Sequence, residues 1–305
     1  RASRNSAKTP RHGAHSPLSV SSWLTVSDRM QHGQHGGHRR VVYTVSTGGY
    51  DIRGSESRRV PEEVTRGIDF VRFVDRESLT KLSQLSQHAL HPWRNVLLDT
   101  NYAAAPSEAP TTMSPALRLS RDVKIRPHQY PLLWRYEASL YVDSNVQIHH
   151  PVDGVFAHVA RDGGNVDLAA FDFPRSLEDE AKWVERYLLT KQANTSAESR
   201  ARLAATLAAQ VSDYKAHGDH LWNRTMYGKV IVRHHSDRVR YFGERWWQEL
   251  SRGVPRDQLA FRFCAADAGR KVGLRTASLG KRGRNGAKFW RYFRVHHEAG
   301  RTTGF

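Results

Sequence analysis

One cysteine, Cys264, in 305 residues excludes an intrachain disulfide and any zinc site built from clustered thiolates. No apolar run approaches the ~18 residues that cross a bilayer, and the runs around Val41, Leu97, Leu140 and Val230 are strand-sized. The chain contains no His-Glu-x-x-His zinc pattern, no Gly-x-Ser-x-Gly nucleophile elbow and no Gly-x-Gly-x-x-Gly dinucleotide turn. A zincin, a serine hydrolase of the elbow type and an NAD enzyme are therefore disfavoured. Internal repeats are missing as well. Acidic residues are in deficit, 30 against 47 Lys and Arg, which gives a net charge of +17.

Such a charge suits nucleic acid, an acidic polymer or a membrane surface, so its distribution matters. Residues 1–40 hold seven Lys/Arg against Asp28, and residues 276–305 hold seven against Glu298, so 41–275 carry only +5. From 1 to 38 the chain is Ser, His, Gly and Arg with too few apolar residues to offset the entropy of ordering it, and it reads as a disordered stem or linker. His32, His35 and His38 in that stretch read as part of a flexible polar segment rather than a metal site. Asn194-Thr195-Ser196 and Asn223-Arg224-Thr225 match the N-glycosylation pattern, which arises often by chance. The chain opens on Arg1, and a signal or anchor segment upstream is expected. The basic, aromatic segment 276–305, with Trp290, Tyr292 and Phe293 among Lys288, Arg291 and Arg294, is expected to be a tail that either binds polyanions or packs its rings on the domain.

Between these ends, 39–275 reads as one α/β catalytic domain. Strands are expected at Val41–Ser46, Asp69–Val74, Val96–Asp99, Ala138–Asp143, Val166–Phe173 and Lys229–Val232. Most are continuous apolar runs, as a mostly parallel sheet covered on both faces requires. Ser176 with Asp179 signals a helix start, and the helix runs to about Lys191. A second helix carries Leu203, Leu207, Val211 and Tyr214 and stops at Gly218. A third, from about Arg238 to Ser251, carries Val239, Phe242, Trp246 and Leu250 on one face before Gly253.

Four segments carry candidate chemistry. Tyr141-Val-Asp143-Ser144-Asn145 is a strand that ends abruptly in an acid, a small residue and an amide. At the carboxyl end of a strand Asp143 projects into the ligand crevice, and Asp143 with Asn145 can hold a hard divalent cation; turn chemistry explains the same pattern. Arg121 and Lys124, in Arg121-Asp-Val-Lys124-Ile-Arg126-Pro-His128, can grip phosphates, or they form a solvated helix face. Tyr43-Thr-Val-Ser-Thr-Gly48-Gly49-Tyr50-Asp51 is a glycine turn that lets a ligand approach the backbone, or a plain βα turn. Asp257, in Arg256-Asp257-Gln258-Leu-Ala-Phe261, can accept a proton from an acceptor hydroxyl or open the next helix. Of Trp134, Trp222, Trp246 and Trp247, one is expected to stack on a sugar ring. His149-His150 and His234-His235 supply at most one ligand each, since neighbours on a strand point to opposite faces.

Taken in order with Asp69–Asp75, Phe173-Pro174-Arg175, Asp179-Glu180-Ala181, Val230–His234 and Trp246-Trp247, these pieces resemble the glycosyltransferase-like domain shared by plant mucilage-related and turgor-related proteins and by bacterial and algal chains. The likeness covers most of 40–265. It implies a single Rossmann-like, GT-A-like fold and transfer of a hexosyl or pentosyl unit from a nucleotide-diphosphate donor to a glycan or polysaccharide acceptor with Mn²⁺ or Mg²⁺. For plant members it also implies a Golgi address and cell-wall polysaccharide. Carried over, Asp143 and Asn145 fall on the metal corner, and Arg121, Lys124 and Arg233 neutralise phosphate. Tyr43, Gly49 and Asp51 lie on the donor side, and Asp257 is the acceptor-side base. Asn145 stands where many transferases carry a second Asp. Two alternatives remain beside this reading: a polyanion-binding protein acting through its tails, although nucleic acid is disfavoured by the mild charge of the middle, and a lipid amide hydrolase.

Overall fold

β-Branched and aromatic residues fill the first run, Arg40–Ser46, and six of its seven side chains are buried, so it becomes a central strand, β1. In this computed structural model the described residues are 39–49, 52, 60–85, 91–98, 113–160, 166–173, 175–191, 196–218, 225–281 and 292–295. The expected stem, Tyr50, Asp51, Pro174, Trp222, Asn194-Thr195, Asn223-Arg224 and most of the C-terminal segment lie outside them.

After β1 come β2 (Asp69–Val74), α1 (Arg76–Leu82), β3 (Arg94–Leu97), α2 (Pro115–Ile125), the short α3 (Pro131–Trp134), β4 (Ala138–Val142) and β5 (Val146–Ile148). They continue as α4 (Asp153–Ala160), β6 (Leu168–Phe173), α5 (Leu177–Lys191), α6 (Ala197–Ala216), β7 (Thr225–His234), α7 (Asp237–Arg252), α8 (Asp257–Val272), β8 (Thr276–Lys281) and β9 (Phe293–Val295). Among the described residues seven strands form one sheet in the order β3-β2-β1-β4-β7-β6-β8. β1 pairs in parallel with β2 and β4, β2 with β3, and β6 with β8; β7 is antiparallel to both β4 and β6. The fold is thus α/β with a mostly parallel sheet and one reversed strand. The chain first builds outward from β1 to β3, then returns to place β4 on the other flank of β1. That reversal is a topological switch point, where ligands bind in open α/β sheets.

Alternate residues of each strand feed two cores. Val41, Tyr43, Phe73, Tyr141 and Ile231 face the layer containing α2, α7 and α8, while Val42, Phe70, Leu140, Val142 and Val230 face α4 and the β5–β9 pair. Capping follows the expected chemistry. Ser176 Oγ accepts the Asp179 N–H at 3.0 Å ahead of α5, and Val239, Phe242, Trp246 and Leu250 of α7 are all buried.

The sheet runs past the boundary expected at 275. Thr276–Lys281 pairs in parallel with β6, and Phe293 is buried with its ring centroid 6.0 Å from that of Phe171, so these parts of the expected tail belong to the domain. The hydrogen-bonding edge of β6 would otherwise stay open, and a Thr-Ala-Ser-Leu run serves to cover it.

Candidate active site

The carboxyl ends of β1 and β4 converge on Asp143. Its N–H donates to the Lys229 carbonyl at 2.8 Å and its own carbonyl accepts from Val146 N, so the turn after β4 is closed on both sides. Asp143 keeps 22% of its side-chain surface open. Its Oδ1 accepts the Tyr141 hydroxyl at 2.7 Å and lies 3.6 Å from Lys124 Nζ. On the α4 side of the sheet a shallow cleft is lined by Thr44, Ser46, Arg72, Trp93, Asp143 and Ser144 among others. The Arg72 guanidinium lies over the Trp93 ring at 5.3 Å.

Beneath Asp143, on the opposite side of the sheet, lies a buried ion cluster. Lys124 Nζ donates to Asp257 Oδ2 at 2.6 Å, and both side chains are 2% exposed. Arg121 Nη1 reaches the same oxygen at 3.0 Å and is 19% exposed. Burial alone would push the Asp257 carboxyl up, but Arg121, Lys124 and Arg256 outweigh it and hold the group well below the usual carboxylate range. Burial likewise would lower Arg121, yet Asp257 and Asp143 raise it. The Tyr141 hydroxyl is pushed well up, by burial first and then by Asp143, so it stays a donor. Trp246 Nε1 fixes the Asp257 carbonyl at 2.8 Å.

Helix α2 is therefore not a solvated face. Asp122, Val123, Lys124 and Ile125 are all buried, and the polar pair is ionically partnered: Asp122 with Arg126, Lys124 with Asp257. Arg233 is 1% exposed. It donates through Nη1 to the Tyr43 hydroxyl at 2.9 Å and through Nη2 to the Lys124 carbonyl at 2.8 Å, and burial lowers it from its ordinary value. Tyr43 and Arg233 thus lie under the cluster, in the core. Gly48 and Gly49 adopt φ of +66° and +65°, and their N–H groups donate to Asp75 Oδ2 and Ser78 Oγ. This turn at the end of β1 needs glycine, because left-handed backbone is costly for other residues. Asn145 Oδ1 accepts from Lys229 Nζ at 3.4 Å.

The structure thus brings Asp143, Lys124, Arg121 and Asp257 together, from segments up to 136 residues apart. It places Gly49 at the end of β1 and Tyr43 and Arg233 underneath. Among the tryptophans, Trp246 and Trp247 are buried, and Trp134 stacks on His235 at 4.4 Å. The His235 ring is lowered to about 3, chiefly by burial. Sequence reasoning did not single out Gly228, Arg72, Trp93 or the bonding role of Tyr141. Gly228 had a signal: a glycine inside a strand marks close approach, and a Cβ there would sit 3.3 Å from Lys124 Nζ.

Among the described residues no three His, Cys, Asp or Glu side chains are grouped to hold a metal. The donors at the corner are hard oxygens, the partly exposed Asp143 carboxylate and the Asn145 amide. That set fits a cation that takes one or two protein ligands and keeps its other positions for phosphate and water.

No family model matches the chain, and no curated protein sequence matches it. Solved structures overlap it at low identity. The apo WbbM bifunctional glycosyltransferase shares 16% identity over 81% of this chain with a TM-score of 0.41, and the chain spans 39% of its length. The mannosyltransferase Ktr4p from S. cerevisiae shares 11% over 76% of this chain and 67% of its own, with a TM-score of 0.46. Mouse xyloside xylosyltransferase 1 shares 11% over 79% and 84%, with a TM-score of 0.43. At these values the overlaps say nothing of any residue's role, which rests on the geometry of the site.

Proposed function

We propose that the chain is a glycosyltransferase of the GT-A-like type, moving a hexosyl or pentosyl unit from a nucleotide-diphosphate donor to a glycan or polysaccharide acceptor. One observation carries the reading. At the switch point between β1 and β4, a partly exposed carboxylate, Asp143, borders an open cleft and is backed by a buried Lys124–Asp257 pair and by Arg121. Rupture of the bond between the sugar and the diphosphate leaves growing negative charge on the departing phosphate. Arg121 is a partly exposed cation fixed in advance by Asp257, with Lys124 buried behind Asp143, and preorganised charge in a shielded site stabilises such a leaving group strongly.

The cleft takes the nucleoside, with the Arg72–Trp93 face as a stacking surface. Asp143 and Asn145 are the residues that would hold Mn²⁺ or Mg²⁺, which supplies charge neutralisation at the diphosphate. A carboxylate held as low as Asp257 is a poor proton acceptor, so we assign it to positioning Lys124 and Arg121 rather than to deprotonating the acceptor. Arg233 and Tyr43 act as positioning residues too, by anchoring the carbonyl of Lys124. The sequence resemblance is what supports the Golgi lumen as compartment.

Calorimetry with UDP and GDP, with and without Mn²⁺, tests the assignment. Metal-dependent binding that disappears in Asp143→Ala is the expected result. A folded wild type that binds neither nucleotide would sink it.

A further inference from the structure

On the far side of Asp257 from the cleft, α5 carries a constellation that the donor site does not use. Glu180 is fully buried; its Oε1 accepts Arg256 Nε at 2.7 Å and its Oε2 lies 3.3 Å from Arg175 Nη1. Both guanidiniums lie over the Trp183 ring, Arg256 at 4.5 Å and Arg175 at 5.7 Å. One turn further on, Tyr187 stacks on Trp183 with centroids 5.1 Å apart and planes 17° from parallel. Tyr187 is 45% exposed, the most open large apolar side chain among the described residues.

A fully buried carboxylate clamping two arginines is an expensive way to hold one ring, because its charge must leave water. What the clamp achieves is a locked Trp183 that fixes the plane of the exposed Tyr187. A preformed, partly exposed aromatic surface is what a sugar ring needs, since a pyranose offers an apolar C–H face. Location fits as well. Arg256 directly precedes Asp257, and Thr225 N donates to the Arg175 carbonyl at 2.7 Å, which puts Arg175 at the carboxyl edge of β6. The cleft draws its lining from β1, β2 and β4, whereas α5 follows β6 beyond β7. In strand order the cleft and the stack thus lie to either side of β4 and β7, the strands next to the Asp143–Asp257 centre.

We propose that the stacked Trp183–Tyr187 pair is a carbohydrate-binding subsite that holds a sugar unit of the acceptor glycan, set back from its reacting end. Its role as an acceptor subsite rests on the transferase reading; its binding of carbohydrate does not. The test is affinity electrophoresis of the full chain through gels containing dissolved xyloglucan, galactomannan or arabinoxylan. These polymers are essentially neutral, so the +17 charge of the protein does not itself cause retention. Nucleotide titrations run in parallel. We expect at least one polymer to slow the wild type, and Tyr187→Ala to weaken the interaction about fivefold or more, as loss of one aromatic stack implies. Nucleotide affinity stays unchanged in that variant. Trp183→Ala repeats the loss and Trp183→Phe recovers part of it; Tyr187, being exposed, keeps the test valid if Trp183→Ala fails to fold. Equal retardation of Tyr187→Ala and wild type, or no retardation of the wild type by any of the three, overturns the proposal. Tyr187-dependent retention in a protein that binds neither UDP nor GDP would leave the sugar platform standing and remove the transferase reading.

Discussion

Asp257→Asn separates an anchoring role from a catalytic one. The substitution keeps the volume of the side chain, so no cavity forms, but it removes the charge that lies within 3.0 Å of both Lys124 Nζ and Arg121 Nη1. Lys124 is 2% exposed and cannot turn to water, and removing one member of such a pair costs about 3–5 kcal/mol. Asp143, 3.6 Å from Lys124, retains part of the attraction, which puts the expected loss near the lower end, about 3 kcal/mol. At roughly 2–4 °C per kcal/mol for a domain of this size, the melting temperature falls by about 6–12 °C. Thermal melts followed by tryptophan fluorescence read this, since the Trp246 indole is bonded to the Asp257 carbonyl. Because the folded carboxyl titrates below its unfolded value, its stabilisation is complete above about pH 4 and is lost only as pH falls below that. The gap between variant and wild type therefore stays constant from about pH 5 to 8. Adding Lys124→Met to Asp257→Asn removes the orphaned cation and recovers part of the loss. A melting shift under about 2 °C, with turnover abolished and nucleotide binding intact, would refute the anchor and make Asp257 the proton acceptor.

Two further outcomes follow from neighbouring geometry. Gly228→Ala places a methyl group 3.3 Å from Lys124 Nζ and 3.7 Å from Asp257 Oδ2, so the pair must yield slightly. We expect about 1 kcal/mol of destabilisation and weaker nucleotide binding, and calorimetry showing wild-type affinity would contradict the link between Lys124 and the donor. Glu244 is lowered to about 2, chiefly by its hydrogen bond to His128 against the opposing effect of burial, with Gln129 and Arg126 adding to the shift. Its contribution is full above the unfolded value near 4.3 and declines as pH falls toward 2, so Glu244→Gln flattens the acid limb of the stability profile. The side chain is 36% exposed, so the effect is modest and shrinks with salt. Urea midpoints from pH 2.5 to 6 that fall equally in variant and wild type would exclude it.

Two strands were legible closely because they are continuous apolar runs with marked ends, whereas the run expected at Lys229–Val232 extends over Thr225–His234. Val41–Ser46 and Asp69–Val74 are recovered within a residue. The reversal of β7 was not, since an apolar run reads the same in either direction and only its partners, Leu140↔Val232 and Ala170↔Ile231, fix its sense. β8 was hidden for a related reason: Thr276–Lys281 has the composition of a tail and becomes a strand only because β6 offers an edge. Asp143 was visible as an acid ending a strand. The environment of Asp257 was not, because an Asp in a first helical turn is ordinary and its cations come from 133 and 136 residues away. For the same reason Lys124 reads as surface on its own helix, and burial became tolerable only through that distant carboxylate.

The charge arrangement also says what kind of ligand the corner suits under the proposed function. Arg121, Lys124, Asp257 and Asp143 sum to zero, but they are not equally reachable: Lys124 and Asp257 neutralise each other at 2% exposure, leaving Arg121 at 19% and Asp143 at 22% to meet a ligand. A bare divalent cation at Asp143 is opposed by the Arg121 charge, which interacts with the same carboxylate. A bare diphosphate at Arg121 is opposed in turn by the Asp143 carboxylate. A diphosphate carrying its own cation presents positive charge to Asp143 and negative charge to Arg121 at once, so the corner favours the paired species over either component alone. Placing Asn rather than Asp at 145 serves the same end: a second carboxylate would strengthen the bare-cation site, whereas the amide keeps an oxygen donor without tipping the balance away from phosphate.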